Sequence, residues 1–234
     1  MYYPGNKNIP GLIQKIINQI PLCTDFYELY AGSAAVSRVL SVSTGTSVRY
    51  HLNDIDPGVT DRYVHRAGSI VTSVPATEML NSLKYLQDPD NIFVFLDPPY
   101  HFDSRPNNLH LYEFELTNDD HVQLLLAVRY LNYNCMIIHP QNDLYDLALK
   151  SWRTVQVKVR YHNKTSIEYL YMNYPQPEKL LTYGMYGTDC WDRQRIKRKG
   201  DRLIKKLLSL PEAECNYIIS RIQQGIIVPN EKNL

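Results

Sequence analysis

The tetrapeptide Asp97-Pro98-Pro99-Tyr100 directly follows the apolar run 92–96, and this junction constrains the chain more than any other feature. A short run of aromatic and branched residues is typical of a buried strand in a parallel sheet. The two prolines end the strand, because neither can donate a ladder hydrogen bond and each fixes its φ. The strand therefore carries a carboxylate and an aromatic ring to the carboxyl edge of the sheet, where open α/β folds bind ligands. Taken alone, Asp-Pro-Pro is equally compatible with an ordinary turn.

A second strand end is predicted upstream, within residues 25–37. The segment begins as a strand, passes through Tyr30, Ala31 and Gly32, and continues as an apolar helix pattern. Small residues at such a turn let the backbone approach a ligand and leave helix N–H groups facing it. A tight packing turn explains one glycine equally well.

A third strand end follows the candidate strand 48–52 and carries Asp54. An acid at the end of the second strand, about 20 residues beyond a glycine turn, is placed as in sites that hydrogen-bond a ribose diol. A turn or helix N-cap is the alternative role for Asp54.

In this order, the turn, the acid and the Asp-Pro-Pro-Tyr loop resemble the Dam-type (class D12) S-adenosylmethionine-dependent adenine-N6 DNA methyltransferases. Residues 3–7, Tyr-Pro-Gly-Asn-Lys, with the helix pattern 9–20, resemble the N-terminal motif of that family. Residues 114–121 are similar to the stretch after its catalytic loop, and residues 168–174 are similar to its last strand. The resemblance spans roughly residues 1–174.

The resemblance implies methyl transfer from S-adenosylmethionine to the N6 amine of adenine, with DNA as the partner. It implies that Asp97 and the Pro98 carbonyl hold the amine while Tyr100 stacks on the base. The implied catalytic residues are Asp97, Pro98, Pro99 and Tyr100. The implied cofactor-binding residues are Tyr3, Lys7, Glu28, Tyr30, Ala31, Gly32, Asp54 and Asp97.

Two of these assignments compete with simpler roles. Lys7 is expected to pair with the cofactor carboxylate, but an exposed Lys near a terminus is common. Glu28 is either a ligand of the cofactor amine or a buried structural acid.

Composition is that of an intracellular enzyme. A chain of 234 residues that is 44% hydrophobic can bury one α/β core and carry an appendage. The sequence has no bilayer-length apolar stretch and no signal-peptide pattern, so we expect a cytoplasmic protein without membrane contact. Four scattered cysteines indicate a reducing compartment, and seven histidines without ligand spacing indicate no metal site.

Strand and helix patterns alternate along the chain, which predicts a mostly parallel, Rossmann-like sheet covered by helices on both faces. The resemblance implies that the last strand is antiparallel. We expect a catalytic domain at residues 1–180 and a basic helical extension at residues 181–234. Strands are predicted at 26–30, 48–52, 69–74, 92–96, 134–138, 154–160 and 167–173, and helices at 9–20, 34–40, 77–85, 117–131 and 143–150.

The C-terminal segment 193–206 has eight cations and one acid. Such a stripe is an electrostatic footprint for phosphate, although charge runs are also common on solvated helix faces. Apolar residues on its other side predict a helical hairpin that resembles a helix-turn-helix. The candidate nucleic-acid-binding residues are Arg193, Arg195, Lys197, Arg198, Lys199 and Arg202.

The sequence departs from the family pattern in two places. Residues 56–92 leave room only for a strand, a helix and their loops, so the usual recognition insertion is absent or displaced and no target sequence follows. The third strand ends without the usual acid. The polar turn 139–142 is expected only to line the site. Methylation of RNA and an inactive nucleic-acid-binding homologue remain as alternatives, and no oligomeric state follows from the sequence.

Overall fold

A computed structural model describes residues 7–45, 47–63, 68–86, 91–105, 109–161 and 164–224. The chain divides into two compact units, Met1–Tyr186 and Gly187–Leu234. The boundary after residue 180, between a catalytic domain and a basic extension, stays a prediction.

The first unit is built on one seven-stranded sheet. Its strands are β1 (Asp25–Leu29), β2 (Arg49–Asn53), β3 (Ser69–Thr72), β4 (Ile92–Leu96), β5 (Asn134–Pro140), β6 (Arg153–Tyr161) and β7 (Lys164–Met172). They lie in the order β3-β2-β1-β4-β5-β7-β6. The first five strands are mutually parallel where they pair, and β7 runs antiparallel to both β5 and β6. This arrangement confirms the predicted fold class.

The helices of the first unit are α1 (Leu12–Ile17), α2 (Ala35–Thr44), α3 (Pro57–Thr60), α4 (Ala76–Leu83), α5 (Asn118–Arg129) and α6 (Asp143–Ala148). Most of them pack on the sheet in two hydrophobic clusters. One cluster contains α1 and α2 with strand residues such as Phe26 and Phe93, and the other contains α4, α5 and α6 with residues such as Val94. Because β1 and β4 contribute to both clusters, their side chains are buried throughout.

Local chemistry explains where several elements begin. Thr117 caps α5 through a capping box with Asp120. α1 begins at Leu12 rather than at residue 9, because Gly11 has φ 92° immediately before it, and α1 ends at Ile17 rather than at residue 20. The short α3 was not predicted; Asp56 caps it, accepting a hydrogen bond from the Gly58 N–H.

The second unit contains α7 (Cys190–Leu208) and α8 (Glu212–Gln223), which agrees with the predicted helical appendage. Asp189 caps α7, accepting a hydrogen bond from the Asp192 N–H. Among the described residues of α7 none is buried, whereas Cys215 in α8 is. Cys23 and Cys135 of the first unit are buried free thiols.

Candidate methyltransferase site

The turn after β1 has a strained backbone. Tyr30 and Ala34 adopt φ of 61° and 47°, and Gly32 between them adopts 52°. For residues with a side chain such left-handed conformations cost of the order of 1–2 kcal/mol each. The Ala31 N–H donates to the Asn53 carbonyl at 2.9 Å, which fastens the turn to the end of β2. The surrounding structure thus holds the turn in a shape it would not adopt alone.

Asp54 organises the same turn from the neighbouring strand. One carboxylate oxygen accepts the Gly32 N–H at 2.8 Å, and the other accepts the Asp56 N–H at 3.1 Å. The carboxylate is buried, and burial raises its pKa even though both hydrogen bonds favour the charged form. Each oxygen retains acceptor capacity, so a ligand hydroxyl can still be bound there.

Glu28 has the structural role that its sequence position left open. Its two carboxylate oxygens accept the N–H groups of Val36 and Ser37, at 3.3 and 2.8 Å. It thereby satisfies donors in the first turn of α2. Burial raises the pKa of Glu28 to about 7. A ligand role for this residue stays a prediction.

Asp97 forms a buried ion pair at the end of β4. The Lys7 Nζ lies 2.7 Å from one Asp97 carboxylate oxygen, and the two side chains are 3% and 17% exposed. Burial raises the pKa of Asp97 to about 6, although the Lys7 cation opposes that rise. The same ammonium lies 4.9 Å from the centre of the Tyr100 ring. An N–H donor therefore fits between the carboxylate and the ring.

Tyr100 is held by two groups that sequence analysis did not single out. Its hydroxyl donates to a Glu168 carboxylate oxygen at 2.8 Å, and Glu168 is 1% exposed. Its ring packs edge to face against the His139 ring, with 5.2 Å between the two ring centroids. Sequence analysis reached them only within larger segments, the family-like strand 168–174 and the polar turn 139–142.

His139 supports the loop that follows Tyr100. Its Nε2 accepts the His101 N–H at 2.9 Å, and its Nδ1 donates to the Pro140 carbonyl at 2.7 Å. Burial lowers the pKa of His139 to about 3, so the ring is neutral near pH 7. This buried histidine has a clear structural part beyond lining the site.

Glu28, Asp54, Asp97 and the strained turn meet at a cavity of about 610 Å³ along the carboxyl edge of the sheet. Tyr100, Glu168 and His139 stand beside it and are not among its lining residues. Pro98 is buried, Pro99 contributes to the cavity wall, and Tyr3 lies outside the described residues. The predicted cofactor residues that line the cavity are Lys7, Glu28, Tyr30, Ala31, Gly32, Asp54 and Asp97.

The outer wall of the cavity is the segment 111–116, which an ion pair holds in place. Arg105 donates to both Glu115 oxygens, at 2.7 and 2.6 Å, and this guanidinium is largely buried. Glu115 also accepts the N–H groups of Leu111 and Tyr112. Glu115 belongs to the family-like stretch 114–121, but the sequence indicated no role for it, and Arg105 stood in no motif.

The candidate phosphate-binding residues all lie on α7. All of them are exposed except Arg193, which is half-buried. Arg195 pairs with Asp192 at 2.7 Å, an exposed contact that contributes little stability. The other five are Arg193, Lys197, Arg198, Lys199 and Arg202.

The described part of the chain holds neither a membrane-spanning helix nor a metal cluster. Within it, no helix combines the length and apolar character needed to cross a bilayer. No three His, Cys, Asp or Glu residues there are grouped as a metal site requires.

Residues 77–179 match the family model described as D12 class N6 adenine-specific DNA methyltransferase. The match confirms the resemblance over a segment that contains Asp97–Tyr100 and Glu168. It thereby supports the assignment of the chain as a methyltransferase that uses S-adenosylmethionine. The residues of the cavity contributed by β1 and β2 lie outside this segment. Among curated proteins, none matches the sequence.

Solved structures of other methyltransferases are similar to the chain at low identity. A putative RNA methyltransferase from Pyrococcus horikoshii is 11% identical with a TM-score of 0.42, covering 69% of this chain and 78% of that one. A putative rRNA methylase from Clostridium thermocellum is 13% identical with a TM-score of 0.45, covering 68% and 93%. Human methyltransferase-like protein 13, in complex with SAH, is 13% identical with a TM-score of 0.44, covering 71% and 78%. The scores are low, and the fold assignment rests on the strand order.

The buried ion pair of this methyltransferase gives a measurable expectation. In a Lys7→Met variant the pKa of Asp97 should rise further above about 6, because the cation that favours its charged form is gone. Carboxyl-carbon NMR of protein labelled at Asp would follow the titration. Lys15→Met in α1 is the matched control and should leave the pKa of Asp97 unchanged. An equal pKa in the wild type and Lys7→Met would contradict the ion pair.

Proposed function

We propose that this chain transfers a methyl group from S-adenosylmethionine to the exocyclic N6 of adenine in DNA. One observation carries the proposal: a nitrogen donor sits hydrogen-bonded to the Asp97 carboxylate while lying over the Tyr100 ring. The adenine amine, attached to a flat base that stacks on an aromatic side chain, has the same two requirements. In this structure the nitrogen is that of Lys7.

Asp97 and Pro98 supply what a weak nucleophile needs. The lone pair of the adenine amine is delocalised into the ring, which makes the nitrogen unreactive. Two acceptors, the Asp97 carboxylate and the Pro98 carbonyl, favour a more tetrahedral nitrogen whose lone pair points outward. The two prolines keep these acceptors rigid, so that positioning contributes to the rate. The Asp97 carboxylate, with its pKa of about 6, also suits the proton that the amine must lose.

Lys7 must leave when the amine enters, since its ammonium occupies the place between the Asp97 carboxylate and the Tyr100 ring that the amine would take. We expect its ammonium to turn toward the carboxylate of the cofactor, as the N-terminal motif implies. The ion pair then keeps Asp97 charged and oriented until the base replaces the cation.

The remaining cavity residues fit the cofactor. Asp54 offers acceptors suited to ribose hydroxyls, and the turn around Gly32 brings backbone close to the methionine part. S-adenosylmethionine supplies an activated methyl group, so the protein has mainly to align two reactants.

Access to the cavity requires an unstacked base. Adenine within a duplex cannot reach a buried carboxylate, so the target nucleotide is flipped out or already single-stranded. The same chemistry would serve an unstacked adenine in RNA, which makes the choice of nucleic acid the part of the proposal to test first.

The direct test is transfer of labelled methyl to duplex DNA, single-stranded DNA and RNA in parallel, followed by digestion to nucleosides. The proposal expects N6-methyladenine in DNA. Label in RNA alone would favour the alternative substrate, and N4-methylcytosine would overturn the adenine assignment. DNA binding without transfer would indicate an inactive homologue.

Asp97→Ala should abolish methyl transfer while largely preserving cofactor binding, because the carboxylate acts on the amine. Single-turnover kinetics and calorimetry measure the two quantities. Asp61→Ala, which removes an exposed acid at the end of α3, should behave like the wild type. Normal turnover in Asp97→Ala would disprove the assigned role.

Glu168 should act through Tyr100. Glu168→Gln retains an acceptor for the hydroxyl and should keep most activity, whereas Glu168→Leu should lower kcat about tenfold or more by releasing the ring. Tyr100→Phe keeps the ring and removes the hydroxyl, so its effect should not add to that of Glu168→Leu in a double-mutant cycle. If the losses of kcat in the two variants are additive, Glu168 does not act through Tyr100. If the fluorescence of 2-aminopurine at the target position is unchanged in Glu168→Leu, Glu168 does not help to place the base.

The basic residues of α7 should neutralise DNA phosphates. Replacing Lys197, Arg198 and Lys199 by Ala should weaken binding to all DNA sequences and flatten the dependence of log affinity on log salt, by about 0.9 for each phosphate that is no longer neutralised. Lys84, Arg129 and Lys150, three exposed cations of the first unit, provide a control triple with the same charge change. If the Lys197–Lys199 variant shows the wild-type dependence of log affinity on log salt, α7 does not bind DNA and is only a solvated helix face.

A further inference from the structure

The β6–β7 hairpin extends past the sheet that carries it. Pairing between β5 and β7 ends with Pro140 opposite Glu168. Pairing between β6 and β7 continues for four more residue pairs, from Lys158 and Ile167 to Tyr161 and Lys164. At about 3.3 Å per residue, the two-stranded ribbon projects roughly 13 Å beyond β5. We refer to residues 158–161 and 164–167 as the ribbon.

The ribbon leaves the sheet at the edge that bears the cavity. β5 is parallel to β4, so its last residue, Pro140, lies at the same edge as Asp97. The contact between Tyr100 and Glu168 fixes this relation, because Glu168 stands where the ribbon begins. The ribbon is therefore a direct neighbour of the proposed base-binding pocket.

The two faces of β6 differ in their surroundings. On one face, Val157 and Val159 are 5% and 2% exposed and belong to the hydrophobic cluster that contains α1. This cluster supports that face of the strand. Lys158 and Arg160 alternate with them and are exposed on the other face. The two cations thus stand on a supported backbone and point to the same side.

The charge of this segment contrasts with the rest of the unit. Residues 1–186 have 15 Lys and Arg against 18 Asp and Glu. The hairpin sequence 154–167 contains no acid, and Lys158 and Arg160 face solvent. A cationic ribbon on an otherwise acidic unit, beside a pocket for an unstacked base, complements a polyanionic backbone.

We propose that the ribbon is a second DNA-binding surface, on which Lys158 and Arg160 contact phosphates of the strand that delivers the target base. The inference rests on the proposed function and adds to it the side from which DNA approaches. Contacts of this kind set position and affinity; they do not read bases. They would compensate in part for a recognition insertion that is absent from residues 56–92 or displaced.

The test is DNA binding by the full chain carrying Lys158→Ala and Arg160→Ala together. We expect about a tenfold or greater loss of affinity for duplex DNA at low salt, and a salt slope smaller by up to about 1.8, since each neutralised phosphate contributes about 0.9. Cofactor affinity, measured by calorimetry, should not change. The matched control is Arg129→Ala with Lys150→Ala, which removes two exposed cations where α5 and α6 have run back to the opposite edge of the sheet.

The outcomes separate this inference from the proposed function. If the wild type methylates DNA adenine but the ribbon variant keeps the wild-type salt slope, or loses no more affinity than the control, the ribbon inference is wrong and the function stands. If the wild type binds DNA with the expected loss in the ribbon variant but transfers no methyl group, the function fails and the surface stands. A wild type that binds RNA and not DNA overturns the surface as proposed.

Discussion

The in-register parallel pairing of β1 with both β2 and β4 is the constraint on which the site depends. Leu29, the last residue of β1, lies opposite Asn53 on one side and Leu96 on the other. The strained turn, Asp54 and Asp97 therefore begin at the same level of the sheet. A slip of one residue in either pairing would turn the buried side chains to the other face and move the acids apart. Burial of β1 and β4 on both faces makes such a slip costly.

Burial also sets the electrostatics of the cavity. Three acids, Glu28, Asp54 and Asp97, all have raised pKa values with desolvation as the largest cause. Each is stabilised by donors that the fold provides: helix N–H groups, turn N–H groups and the Lys7 ammonium. The protein thus concentrates acceptors around one space and keeps them dry, which strengthens every hydrogen bond that a ligand makes there.

Sequence analysis predicted the parts of the site that local patterns determine. Asp97 could be placed because an apolar run and two prolines mark the end of β4 within a few residues. The turn at Gly32 and the acid Asp54 follow from similar strand-end patterns. All seven strands were predicted near their observed positions. The resemblance to a known family then supplied the antiparallel direction of β7.

The parts that were missed depend on contacts between distant segments. Glu168 meets Tyr100 across 68 positions of sequence, and only the register of β7 on β5 brings them together. The exposure of Lys158 and Arg160 likewise follows from how far β6 and β7 pair beyond β5. Neither a motif nor a composition bias encodes how far these two strands continue to pair beyond β5. Pairing of Lys7 with Asp97 was also unexpected, because the motif assigned Lys7 to the cofactor.

The pair formed by Arg105 and Glu115 has a consequence for how the cavity wall can change over evolution. The two residues clamp both ends of an intervening segment, and the Glu115 carboxylate also holds the N–H groups of Leu111 and Tyr112. Lengthening a clamped loop is cheap, since doubling its length adds only about 0.6 kcal/mol of closure entropy. Residues between Arg105 and Leu111 can therefore be inserted or replaced while the cavity wall at residues 111–116 keeps its place. The fold thus has a position where new substrate preference can arise without rebuilding the chemistry beneath it.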